Sequence, residues 1–199
     1  MPHKTLSTAL ILAGSLAFSA TSAFAADPAM LGNTCAGCHG TNGSSVGPAT
    51  PSIAGVAKET LVEAMKAYKS GERPSTIMGR IAKGYTDEEF AAMGEFFAQQ
   101  KLVTHKQEFD AAKSKAGAKL HDKYCEKCHE DGGRKDDDGS GILAGQWMPY
   151  LTYSFEDFTS GNREMPKKMK SKLDDLVKKE GAAGLDNVVH FYASQTGEK

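Results

Sequence analysis

The four cysteines of the chain stand in two pairs, each followed by histidine: Cys35-Ala-Gly-Cys38-His39 and Cys125-Glu-Lys-Cys128-His129. Two thiols three positions apart, with an imidazole directly after them, are the groups that attach c-type haem. The thiols add to the two vinyl groups of the porphyrin, and the next residue is held beneath the iron as its fifth ligand. Other uses of paired cysteines fit less well. A dithiol redox centre has no need of the histidine, which here follows twice. A zinc ribbon wants its pairs close together, whereas 87 positions separate Cys38 from Cys125. Disulfides across Cys-x-x-Cys would close tiny loops and constrain little. Two covalently bound haem c groups are therefore expected, with His39 and His129 on the irons.

The sixth iron ligand must come from later in each half. Methionine suits an electron carrier, because a thioether favours Fe(II) and raises the potential. Met78 lies 39 residues after His39, in what reads as a loop between two helices. In the second half Met169 lies 40 residues after His129, and Met165, in the turn-like Glu164-Met165-Pro166, lies 36 after it. Met169 fits the repeat better, with Leu176 in the place of Tyr85, and Met165 stays as the alternative. Met65, Met93 and Met148 read as packing. His105, His121 and His190 read as surface or helix residues, with a second histidine ligand as the minority reading. The other nitrogen of an axial imidazole needs a partner. A carbonyl at Gly47-Pro48 is placed to serve His39, while the corresponding Asp137-Asp138 offers no proline. Arg73, Arg163, Trp147 and Tyr150 are within reach of haem propionates or are ordinary surface and packing. The run Asp136 to Asp138 reads as a solvated loop.

The elements that position these groups occur twice. The cysteine pairs are offset by 90 residues, as are Ile53-Ala54-Gly55 with Leu143-Ala144-Gly145 and Ser70-Gly71-Glu72-Arg73 with Ser160-Gly161-Asn162-Arg163. The offset reaches 95 where Phe96-Phe97-Ala98-Gln99-Gln100 meets Phe191-Tyr192-Ala193-Ser194-Gln195. This is a tandem duplication with a short insertion in the second copy. Residues 59–69 place Leu61, Val62, Met65 and Tyr68 on one helical face. Thr86-Asp-Glu-Glu89 is a capping box opening a helix with Phe90, Met93, Phe96 and Phe97 inward. Residues 109–124 form a helix leading into the second cysteine turn, and residues 185–193 close the chain with Val188, Val189 and Tyr192 inward. The glycine-rich stretches 40–47 and 132–141 are loops. The expected fold is all-α, with two tandem helical domains each wrapped round one c-type haem: 26–103 and 116–199, joined by a linker at 104–115.

Residues 1–25 carry a positive start, an apolar run from Ala9 to Phe18 and the small-x-small triplet Ala23-Phe24-Ala25. That pattern is a secretory signal cleaved after Ala25, and the run is too short to span a bilayer. A mature chain of 174 residues, without a membrane span and exported to a bacterial periplasm, is the expectation. With 24 Lys+Arg against 25 Asp+Glu, the chain lacks the basic excess of a nucleic-acid binder. Only 8% of residues are aromatic, so two small domains would have thin cores without an additional filler. A haem in each supplies it.

The stretches Cys35-Ala-Gly-Cys-His-Gly, Ser75-Thr-Ile-Met-Gly-Arg-Ile-Ala-Lys-Gly-Tyr85, Gly117-Ala-Lys-Leu-His-Asp-Lys-Tyr-Cys-Glu-Lys-Cys-His129 and Ile142-Leu-Ala-Gly-Gln-Trp147 resemble the dihaem cytochrome subunit of flavocytochrome c sulfide dehydrogenase. More broadly they are similar to dihaem class I cytochromes c. The resemblance covers almost all of the mature chain and implies two class I domains related by a pseudo-twofold. By position it assigns Cys35, Cys38, His39 and Met78 to the first haem, and Cys125, Cys128, His129 and Met169 or Met165 to the second. It also implies a stable complex with an FAD-containing subunit that oxidises sulfide. Electrons would pass from that flavoprotein through the haems to a soluble acceptor such as another cytochrome c. No catalytic residue is expected in this chain, since haem attachment uses every thiol. The alternatives are a free-standing dihaem carrier serving a terminal oxidase or reductase, and a dihaem enzyme with its own substrate site.

Overall fold

In the computed structural model the described residues are 27–136 and 139–197. The signal segment 1–25 lies outside them, as do Asp137 and Asp138. The described residues are helical with long loops and contain no strand. None of their helices is long and apolar enough to cross a membrane.

The first half begins with α1 (Pro28–Asn33), where Asp27 accepts from the Ala29 N–H and Pro28 occupies the first turn. The short α2 (Ala36–His39) carries the first cysteine turn. After a long loop come α3 (Lys58–Ser70), α4 (Met78–Ala82) and α5 (Asp87–Ala98). The capping box that opens α5 is present in full: Thr86 accepts from the Glu89 N–H and the Glu89 carboxylate accepts from the Thr86 N–H. Leu31, Leu61, Met65, Ala82, Phe90, Met93 and Phe97 form the core, with Val62, Tyr68 and Phe96 packed on it. Gly32 allows α1 to lie on α5, because a Cβ there would come within 2.2 Å of the Phe96 ring.

The second half repeats this plan with one change. Its first helix, α6, spans Ala111–Tyr124 and does not reach back to Phe109. The Asp110 carboxylate accepts from the Ala112 and Lys113 N–H groups, so the chain turns into the helix at Asp110 and leaves Phe109 42% exposed. The single turn α7 (Glu130–Gly133) follows the second cysteine turn, then α8 (Met148–Thr159) and α9 (Lys167–Ser194). Within α9, Gly181 breaks the helix with φ 65°. The repeat explains the break. Met78, Ala82 and Tyr85 correspond to Met169, Leu173 and Leu176 at an offset of 91, and Thr86, the cap of α5, corresponds to Gly181 at 95. The four added residues amount to about one helical turn, so α4 becomes the long first part of α9 without changing its buried face. Leu176, Val188, Val189 and Tyr192 lie in the second core together with Tyr124, Leu151 and Phe191.

The two halves are joined by directed polar contacts. Gln146 accepts from the Ser52 N–H at 3.0 Å and donates to the Ser52 carbonyl at 2.8 Å. The Trp147 indole donates to the Ser45 carbonyl at 3.0 Å. Asp136, read from sequence as part of a solvated loop, accepts from the Ala57 N–H at 2.8 Å and the Thr60 hydroxyl at 3.1 Å. It thereby serves the start of α3, where Ala57 has no side chain to act as a cap. Gln107, from the connecting segment, accepts from the Met148 N–H at the start of α8 and donates to the Gln146 carbonyl.

Candidate haem-binding sites

The Cys-x-x-Cys-His segments fold into the same turn in both halves. The His39 N–H bonds to the Cys35 carbonyl at 2.9 Å, and the His129 N–H to the Cys125 carbonyl at 2.9 Å. Positions i, i+3 and i+4 share one side of such a turn, which is why both thiols and the imidazole can meet one flat ring. In both copies the first cysteine is half-buried and the second exposed. Burial raises both inner thiols, that of Cys125 to about 11.

His39 is buried, and its Nδ1 donates to the Pro51 carbonyl at 2.8 Å. The partner is therefore Pro51 and not Gly47-Pro48. The loop folds back so that Ile53 and Ala54 bond to the Gly43 carbonyl, which brings Pro51 under the ring. Since a carbonyl only accepts, Nδ1 carries the proton and Nε2 keeps its lone pair. Burial lowers the His39 pKa, against the pull of the Pro51 bond, and favours the neutral ligand form. These donors fit haem c: two thiols for the vinyl groups and a neutral imidazole with its far nitrogen open to iron. The group supplies reversible one-electron chemistry at its iron when bound.

Met78 is the first residue of α4 and not a loop residue, and it packs half-buried on the first core. Met169 is the third residue of α9. It shares a helical face, at i, i+4 and i+7, with the buried Leu173 and Leu176. Met165 lies outside the helix, before Pro166. Met65 and Met93 are buried in the first core and Met148 packs on the second.

One buried network escaped the sequence reading. His121, read as an ordinary helix residue, is 1% exposed. Its Nδ1 bonds to the Tyr192 hydroxyl at 3.0 Å and its Nε2 to the Glu126 carboxylate. Glu126 also accepts from the Asp131 N–H at 3.2 Å, tying the end of α6 to the loop beyond His129. His190 is buried too and accepts from the Asp110 N–H. With both ring nitrogens engaged, His121 is not a spare iron ligand. The repeat held the signal: His121, Glu126 and Tyr192 stand where the first half has Leu31, Ala36 and Phe97.

At the contact between halves, Arg73 donates to the Tyr150 hydroxyl at 3.4 Å and lies 4.7 Å over the Tyr68 ring. Arg163 lies 4.3 Å over the Phe158 ring.

Two haem-attachment turns in one all-helical duplicated fold define a dihaem cytochrome c, an electron carrier. Comparison with known proteins agrees: residues 28–102 match the Cytochrome c family model, and residues 112–180 match that of Cytochrome C oxidase, cbb3-type, subunit III. The chain belongs to the cytochrome c family. It is 45% identical over 76 residues to the cytochrome subunit of sulfide dehydrogenase of Chlorobaculum tepidum, covering 38% of this chain and 68% of that one. It is 26% identical to cytochrome c4 of Azotobacter vinelandii over 93% of both chains. The fold matches the crystal structure of reduced cytochrome c4 from Pseudomonas stutzeri with a TM-score of 0.72 at 22% identity, over 86% of this chain and 100% of that one.

Proposed function

We propose that this chain is the periplasmic electron-transfer subunit of a flavocytochrome c sulfide dehydrogenase. A flavoprotein partner holding FAD oxidises sulfide, and this chain passes the electrons through its two haems to a soluble acceptor such as another cytochrome c. The observation that carries the reading is the 45% identity to a sulfide dehydrogenase cytochrome subunit. The thiol count supports it: haem attachment uses all four cysteines and leaves none to attack sulfur.

We assign the first iron to His39 and Met78 and the second to His129 and Met169. The shared face of Met169 with Leu173 and Leu176 favours it over Met165. The first domain is taken as 26–103 and the second as opening with α6 at Ala111, ahead of the 116 expected from sequence, with the signal cleaved after Ala25. In each domain the chain's task is to hold a low-spin iron between imidazole and thioether and to keep both ligands in place as the oxidation state changes.

The likeness to cytochrome c4 over 93% of the chain favours a second reading, a free-standing dihaem carrier. Purification from the native host separates the two. The subunit reading expects haem and flavin absorbance in one peak; a cytochrome that elutes alone, without flavin, contradicts it.

A further inference from the structure

The repeat sets the two assigned methionine ligands in differently charged surroundings. At the offset of 91 that pairs Met78 with Met169, Ile77 corresponds to Lys168, Gly79 to Lys170 and Ile81 to Lys172. In the first half the flanks of the methionine are apolar, with Ile77 49% and Ile81 38% exposed. In the second half the same positions are exposed lysines. The cysteine turn shows the same change. At the offset of 90, Gly37 corresponds to Lys127, which is exposed between Cys125 and Cys128. Both segments assigned to the second haem therefore carry lysine where those of the first carry glycine or isoleucine.

Helix chemistry does not account for these lysines. Lys167, Lys168 and Lys170 stand in the first turn of α9, where unbonded N–H groups and the helix dipole favour anions and disfavour cations. That turn holds no acidic residue, and Pro166 offers no side-chain cap. The start of α5 shows the usual arrangement, with Asp87, Glu88 and Glu89 in its first turn. Ion pairing does not account for them either. Lys170 reaches Asp174 at 2.8 Å, but among the described residues Lys127, Lys168 and Lys172 make no ion pair. Cations kept where they oppose the helix, and left without partners in their own chain, point to anions outside it. Lys168 and Lys172 lie one turn apart on one side of α9. Flexible, strongly hydrated ammonium groups suit steering and brief encounter, and lysine is depleted from the dry centres of interfaces. A lipid headgroup gains nothing from lying near an iron, whereas an electron acceptor does.

We infer that Lys127, Lys168 and Lys172 form a docking surface beside the second haem site for an acidic electron-transfer protein. A negatively charged acceptor then takes its electron at the second half and not at the apolar face of the first. This docking rests on the proposed soluble acceptor and on Met169 as the second ligand, and it does not require the flavoprotein.

The purified dihaem protein, reduced with dithionite, is mixed in a stopped-flow spectrometer with an oxidised acidic blue-copper protein as the probe. No flavoprotein is present, so the outcome is separate from that of the sulfide dehydrogenase reading. The parent's rate constant is expected to fall roughly tenfold or more from low to high salt. Lys127→Glu, Lys168→Glu and Lys172→Glu should each lower the low-salt rate constant, flatten the salt dependence and converge on the parent at high salt. Lys83→Glu makes the same change of charge after α4 in the first half and should stay near the parent. Lys168→Glu should also keep or raise Tm, because an acid suits the start of a helix; that separates lost docking from lost fold. Lys168→Gln and Lys172→Gln remove charge without reversing it and serve if a Glu variant fails to take up both haems. A parent rate that ignores salt, or equal slowing by Lys83→Glu, would overturn the inference. So would lysine-dependent sedimentation with phosphatidylglycerol vesicles alongside unchanged electron-transfer rates, which would assign the face to a membrane surface.

Discussion

Buried imidazoles do different work in the two halves. His39 spends Nδ1 on the Pro51 carbonyl and leaves Nε2 for the iron the proposed ligation gives it, whereas His121 spends both nitrogens, on Tyr192 and Glu126. Cutting Glu126 back to alanine orphans a ring nitrogen in a residue that is 1% exposed, at a cost of about 1–3 kcal/mol. Chemical denaturation of the holoprotein should show that loss. The triple change His121→Leu, Glu126→Ala, Tyr192→Phe should recover most of it, because it installs the apolar set of the first half. At the irons, Met78→Ala should remove one of two near-infrared Met–Fe(III) charge-transfer bands. Met169→Ala should remove the other, while Met165→Ala leaves both; a band lost in Met165→Ala instead would reassign the second ligand. The two haem-attachment motifs were legible because their spacing is itself the chemistry. Pro51 was not, since a carbonyl's direction depends on how the loop folds back, and every residue offers the same carbonyl.

Helices were legible where an apolar period or a cap marks them. Residues 58–70 and the capping box at Thr86 are such cases. Two boundaries moved for local reasons: Asp110 starts α6 later than its apolar pattern suggests, and Met78 begins α4. The length of the first part of α9, up to the break at Gly181, was hidden because the four added residues leave no mark of their own in the apolar pattern. Asp110 also gives a pH prediction. The N–H groups of Lys113 and Ala112 hold its carboxyl below the ordinary 3.8. A carboxyl lowered on folding contributes stability above its unfolded pKa and loses that contribution as pH falls through the folded value. Asp110→Asn should therefore flatten the loss of stability below about pH 4, measured by thermal unfolding across an acid series. An unchanged acid slope would assign that loss to other groups.

In the whole molecule, the duplication was legible but the contact between its copies was not. Gln146 with Ser52, Trp147 with Ser45 and Asp136 with Ala57 join single polar side chains to distant backbone. Such pairs leave no period in a sequence. Gln146→Ala should orphan the buried Ser52 N–H and carbonyl, costing about 1–3 kcal/mol for each orphaned group. Calorimetry should then show the halves unfolding in two transitions where the parent shows one; a single unshifted transition would mean the contact contributes little to their coupling.

In the proposed function this chain receives electrons from a flavin rather than from sulfide itself. The most direct measurement mixes the oxidised dihaem protein with sulfide in a stopped-flow spectrometer, with and without the FAD-containing protein isolated from the same cells. Reduction of both haems is predicted to be fast only when the flavoprotein is present and flavin-loaded. Equally fast reduction by sulfide alone, or no acceleration by the flavoprotein, would contradict the account.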